Sequence, residues 1–176
     1  MIAETVSPPS AIQDYYAAGQ CFGCGQHNQL GLHVRSFEER YDAATGAVTA
    51  VCRHTPEPYH HGYPGYVYGG LIACVVDCHA MATAIVAATR QAGRDVQRGT
   101  LVPCVTGSLT VRFVKAMPMG DMLVRAEAIP EGRKVRVRVS GGPTTDSALV
   151  CFEADVVAVT RAPRDADAGG ARGANT

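Results

Sequence analysis

The hydrophobic pattern changes its period once along the chain. From Gly69 to Gln91 apolar residues recur at helical spacing, which predicts one long helix stopped by Gly93. From Val102 onward the period is two. In T-G-S-L-T-V-R-F-V, Leu109, Val111 and Phe113 share one face, while Ser108, Thr110 and Arg112 share the other. Residues 121–129 alternate in the same way. E-G-R at 131–133 reads as a tight turn, R-K-V-R-V-R-V as a half-exposed strand, and Ala148 to Thr160 as the last strand. Ahead of the helix, Ala11 to Ala18 fits a short helix ending at Gly19. The glycine-punctuated loop C-F-G-C-G-Q-H-N-Q-L-G-L leads into a strand from about Leu32 to Glu39, and a second strand follows over Ala47 to Arg53. Residues 55–67, with three prolines, two glycines and three tyrosines, read as an irregular loop.

Two strands, one long helix, then three or four antiparallel strands on short hairpins predict an α+β domain whose sheet wraps the helix. Residues 1–20 form a lead with the short helix, 21–161 the domain, and 162–176 a disordered tail rich in Ala, Gly, Asp and Arg. No internal repeat is visible.

Composition narrows the setting. Leu71 to Thr89 is long and apolar enough to suggest a membrane span. Asp77 alone costs roughly 2.5–3.5 kcal/mol at a bilayer centre, however, and much of the rest is alanine, so a buried helix is the better reading. Sixteen basic and sixteen acidic side chains cancel, which advertises neither a nucleic-acid nor an anionic-membrane partner. No secretory signal is visible at the N-terminus. The seven cysteines, odd in number and partly inside apolar segments, read as reduced thiols, hence a cytoplasmic protein.

Four stretches, in order, carry a family resemblance: C-F-G-C-G-x-x-N-x-x-G-L-x-x-R at Cys21 to Arg35, G-Y-P-G-Y-V-Y-G-G-L-I-A-C-V-V-D, V-T-G-S-L-T-V-R-F-V-K and E-G-R-K-V. Together they resemble the hotdog-fold acyl-CoA thioesterases of the PaaI type, from about Cys21 to Val159. The resemblance implies an antiparallel sheet of five to six strands around one central helix, hydrolysis of acyl-CoA and no cofactor. It departs from the family at Tyr68, where His usually precedes the glycine pair, and at Gln29, where Pro is usual.

The resemblance also implies roles. Thioester hydrolysis needs a donor for the developing oxyanion and a base or nucleophile to deliver water. Gly69 N–H at the helix N-terminus is the implied oxyanion donor, with Gly70 completing the turn. Asp77 is the implied carboxylate, activating water or attacking directly. Thr106 matches a position that holds the water or carboxylate, and His60 and His61 match the polar position ahead of the glycines. Tyr68 cannot act as a base at neutral pH, its free pKa being about 10, but can orient the loop. His79 is read as a packing residue.

Gly69 and Asp77 lie eight residues apart, about 12 Å along a helix axis, so one carbonyl cannot touch both in one chain. With these roles, Gly69 of one subunit must face Asp77 of another across antiparallel helices. A homodimer at minimum is expected, and family precedent points to a homotetramer. Around Asp77, Gly70, Ala73, Ala80, Ala84 and Ala88 form a face of small residues, open either to close packing or to a substrate channel. Leu71, Ile72, Val75, Val76, Ile85 and Val86 are expected to pack on the sheet.

Other candidates are less constrained. Cys21-x-x-Cys24 is half of a zinc site, a redox pair or a structural turn. No second C-x-x-C or H-x-x-x-H accompanies it, so no metal is assigned, although His27 and His33 are near. Arg112, Lys115, Arg133, Lys134, Arg136 and Arg138 are candidates for CoA phosphates. Two rival readings are a non-hydrolytic acyl-CoA-binding or regulatory module on the same fold, and a hotdog dehydratase or hydratase, which the absence of His at position 68 fits poorly.

Overall fold

A computed structural model describes residues 10–161. The proposed tail at 162–176 and the first nine residues of the lead lie outside them. The chain runs β1 (Ser36–Tyr41), β2 (Val48–His54), β3 (His61–Tyr63), β4 (Tyr66–Val67), α1 (Gly69–Gln91), β5 (Cys104–Phe113), β6 (Met122–Glu131), β7 (Lys134–Pro143) and β8 (Phe152–Thr160). Six strands form one antiparallel sheet in the order β1-β2-β6-β7-β8-β5, while β3 and β4 make a separate small hairpin. The sheet curls around α1, which packs chiefly on β6 and β7. This is the hotdog architecture.

Period-two patterning builds the sheet as expected. In β7, Val135, Val137 and Val139 are buried against the helix, while Arg136 and Arg138 face outward. The β6–β7 hairpin closes at Gly132, whose φ of 64° suits glycine. The helix begins and ends where the pattern predicts. Gly93, at φ 68°, follows it with its N–H bonded to the Arg90 carbonyl. Arg90 in the last turn reaches Glu38 of β1 with two bonds of 2.7 and 2.9 Å, tying the helix end to the sheet.

Although α1 is long and apolar enough to cross a bilayer, most of it is enclosed by the domain. Two buried threonines satisfy their hydroxyls on the preceding turn, Thr83 on the His79 carbonyl and Thr89 on that of Ile85. His79 is fully buried and bonded through Nδ1 to Ser36 Oγ at 2.9 Å, a packing role.

Several expectations need correction. The helix over Ala11–Ala18 is a single 3-10 turn, Ile12–Tyr15, because Gln13 turns inward to Ser36 and the chain is extended again at Tyr16. β1 starts at Ser36, since Leu32 and Val34 donate their N–H groups to Phe22 and Gly23 and His33 adopts φ 50°. β8 starts at Phe152, because the Leu149 and Cys151 N–H groups bond to Asp146 and Gly141 in a compact turn. The loop at 55–67 contains the β3–β4 hairpin.

The small-residue face also divides. Ala80, Ala84 and Ala88 are buried, because the segment after α1 folds back over the helix's second half: Val96 and Val102 pack on the core, and Val102 N–H bonds to Thr89 Oγ1. The partly exposed stripe is instead Gly70, Ala73, Cys74, Asp77, Met81 and Ile85, so Ile85 is not sealed against the sheet.

Candidate active site

Three structural features converge on this half-open stripe. The first is the helix N-terminus. Tyr68 caps it in an extended conformation, held by its N–H on the His60 carbonyl at 2.9 Å, and its own carbonyl accepts from Leu71 and Ile72. Among the described residues, no partner takes the N–H groups of Gly69 and Gly70, so two donors with partial positive charge face outward. At Gly70 a Cβ would lie 2.4 Å from the exposed Tyr68 ring, which would have to swing away. At 69 a Cβ would come within 3.2 Å of the Phe113 ring.

The second feature is Asp77, two turns along, half-buried and bonded to Thr106: the threonine Oγ1 donates to Asp77 Oδ1 at 2.7 Å. No cation pairs with Asp77 among the described residues. Thr106 reaches it because β5 carries a bulge at Gly107. Strict alternation would put Thr106 on the outer face with Ser108, Thr110 and Arg112. The register shift between Thr106 and Ser108 turns it to the helix side instead, opposite Ala158. A Cβ at Gly107 would crowd Val159 and the Val157 carbonyl at 3.0 and 3.1 Å.

The third feature is a hollow of about 340 Å³ beside Gly69, lined by Tyr66, Val67, Ile72, Phe113, Lys115 and Met117. Phe113 is a lining residue that the sequence pattern did not reveal: it is spaced as a core strand residue yet closes β5 against the glycine cap. Of the basic candidates, only Lys115 lines this hollow. Arg112 and Arg136 are engaged with Glu153 and Glu131, and Arg133 lines a separate hollow beside Thr160 and Arg161. Arg138 contributes to a basin of about 490 Å³ on the outer face of the sheet, away from the helix, where Glu127 and Asp155 balance it.

His60 and His61 each use Nδ1 within their own loop. His60 Nδ1 accepts from the Glu57 N–H, and His61 Nδ1 donates to the Pro58 carbonyl, so their side chains shape the loop that carries Tyr68. Tyr68 itself is exposed and makes no side-chain cap bond. Its ring covers Gly70.

The cysteine pair has company from a wider spacing, C-x-x-x-C on the helix. Cys74 and Cys78, one helical turn apart on α1, lie against the Cys21–Cys24 loop, and the sulphurs of Cys21, Cys24 and Cys78 all fall within 4.8 Å of one another. Hydrogen bonding with the neighbouring Cys78 thiol lowers the Cys24 pKa, against the effect of burial.

No family model matches the chain, and no curated protein does. Solved structures do. A Shewanella loihica thioesterase superfamily protein is 30% identical over 73% of this chain and 91% of its own, with a TM-score of 0.52. A Streptococcus mutans protein solved with acetyl-CoA covers 80% of this chain and 99% of its own at 15% identity, TM-score 0.54. A hypothetical thioesterase from Streptococcus pneumoniae, solved with coenzyme A, covers 74% and 88% at 14% identity, TM-score 0.53. The latter two establish likeness of fold; the first, at its identity and coverage, establishes kinship. The chain belongs to the thioesterase superfamily.

Proposed function

We propose that the protein hydrolyses acyl-CoA thioesters to free acid and CoA. The observation that carries this reading is a carboxylate oriented by Thr106 on the same half-open stripe as an unpaired glycine N-terminus. In this reading a thioester carbonyl oxygen lies on the Gly69 N–H, which accommodates the charge that develops as the carbonyl carbon becomes tetrahedral. Thr106 occupies one carboxylate oxygen of Asp77 and leaves the other free. That oxygen either takes a proton from the attacking water, so that collapse of the intermediate expels the CoA thiolate and leaves the free acid, or attacks the carbon itself, expelling the thiolate and leaving an acyl–Asp77 anhydride that water then hydrolyses. CoA bound in two fold relatives supports the choice of thioester, and Lys115 is the cation placed to meet a phosphate beside the cap.

Because about 12 Å separates Gly69 from Asp77 along one helix, the complete site takes Gly69 from one subunit and Asp77 from another. The surface supports this. β5 is an edge strand ten residues long, and Val105, Phe113 and Val114 on or beside it are exposed. An open apolar edge next to the partly exposed helix stripe favours a second copy of the chain.

A screen of short, medium, long and aryl acyl-CoAs, read as free thiol release, tests the reading. Turnover that disappears in Asp77→Ala supports it. Tight acyl-CoA binding by the intact protein without thiol release would replace it with a non-hydrolytic binding module.

A further inference from the structure

Three of the four cysteines gathered from the leader and the helix, Cys21, Cys24 and Cys78, have the mutual spacing of metal ligands. Two of the four come from a knuckle, Cys21-Phe22-Gly23-Cys24-Gly25, and two from consecutive turns of one helix face, Cys74 and Cys78. The knuckle is fixed on both sides by backbone bonds: Gly25 N–H to the Cys21 carbonyl, His27 N–H to Gly19, Leu32 N–H to Phe22 and Val34 N–H to Gly23. Gly23 is what lets it settle on the helix. A Cβ there would lie 2.2 Å from Cys78 Sγ and 3.1 Å from Cys74 Sγ.

The sulphur spacing fits a tetrahedral ion. A tetrahedral ion with Zn–S bonds of about 2.3 Å separates its sulphurs by about 3.8 Å. Cys21 Sγ and Cys78 Sγ stand 3.8 Å apart, and Cys24 Sγ completes a triangle with them. Cys74, partly exposed and one turn before Cys78, lies outside that triangle but faces the same knuckle, its Sγ 3.1 Å from where a Cβ on Gly23 would stand. Thiolates in this number select zinc over the harder divalent cations.

We propose that Cys21, Cys24, Cys74 and Cys78 bind one Zn²⁺ ion. Each ligand binds as thiolate and releases its proton to solvent, so no oxidant or reductant takes part. Four protein ligands leave no open position, so the ion is structural. It clamps the leader, residues 19–34, to the helix on the turns that flank Asp77, and thereby holds one wall of the site. This inference does not depend on the hydrolase reading, because its readout is the ion itself.

The test uses the full chain, purified under reducing conditions, stripped with a chelator and titrated with Co²⁺ and then Zn²⁺. The expected result is one ion per chain, with the strong visible absorption of tetrahedral thiolate-bound cobalt, bleached by zinc. Binding raises the unfolding temperature. Cys21→Ser and Cys78→Ser lose stoichiometric binding, Cys74→Ser yields the ion more readily to a competing chelator, and Cys104→Ser behaves as wild type. A folded wild-type chain that binds neither ion overturns the proposal. So do a Cys21–Cys78 disulfide that persists in reductant, iron with acid-labile sulfide in the purified protein, and binding unchanged in Cys21→Ser.

Discussion

Thr106 Oγ1 donates to Asp77 Oδ1 at 2.7 Å, joining the edge strand to the central helix. A hydrogen bond to an ionised carboxylate is stronger than a neutral one and fixes which oxygen stays free. Replacing Thr106 by Val keeps the shape and removes the donor. Loss of such a bond, worth about 1.5–3 kcal/mol, predicts roughly a tenfold to hundredfold fall in kcat with the fold intact. Steady-state kinetics beside circular dichroism check it; unchanged kcat would reduce the bond to a strand-to-helix tie.

Asp77→Ala keeps the fold and oligomer and lowers turnover by at least about a hundredfold. Full turnover in this variant would remove Asp77 from the mechanism. A single turnover of wild type in ¹⁸O-labelled water, followed by mass spectrometry, tests direct attack: label in the Asp77 side chain requires an acyl–Asp77 anhydride opened at the aspartyl carbonyl.

Gly69→Pro deletes one N–H at the first helical position, where proline is tolerated, and Tyr68 already has the extended backbone a following proline requires. We expect a loss of about a hundredfold or more, as for other oxyanion donors. Mixing this variant with Asp77→Ala, after dissociation and reassembly, should restore activity, since each mixed dimer holds one site with both groups intact. A site contained within one chain would show no restoration.

Tyr68→Phe should cost little. The ring covers Gly70, and the hydroxyl makes no cap bond, so Phe preserves the contact that shapes the turn. A loss comparable to that of Asp77→Ala would assign the hydroxyl a direct part.

His54 supplies a pH dependence of stability. Burial, helped by nearby His60 and opposed by Glu57, pushes its pKa below the ordinary value, and its Nε2 is buried without a partner. Below about pH 6.5 the unfolded chain therefore takes up this proton before the folded one. Stability contributed by neutral His54 is complete above that pH and falls as the pH drops toward the folded value. Urea unfolding at about pH 7.5 and 5.5 should show the loss, and His54→Gln should make it smaller. An equal loss in that variant would exclude His54 as a source.

Local pattern alone determined the helix from Gly69 to Gln91, the β6–β7 hairpin at Gly132 and the inward valines of β7, because period, capping glycine and turn chemistry all act between near neighbours. The family resemblance marked Gly69 and Asp77, and the fixed helical rise set their separation. Tertiary structure decided what depends on distant partners. The bulge at Gly107 reverses the face of Thr106, and the chain folding back at Val102 buries Ala84 and Ala88. Leu32 and Val34 pair with the cysteine knuckle rather than the sheet. The Cys74–Cys78 pair was visible at helical spacing, but it became a candidate site only when the leader brought Cys21 and Cys24 onto it, from some fifty residues away in the sequence. Such contacts are set by packing across the whole domain, which no window of a few residues contains.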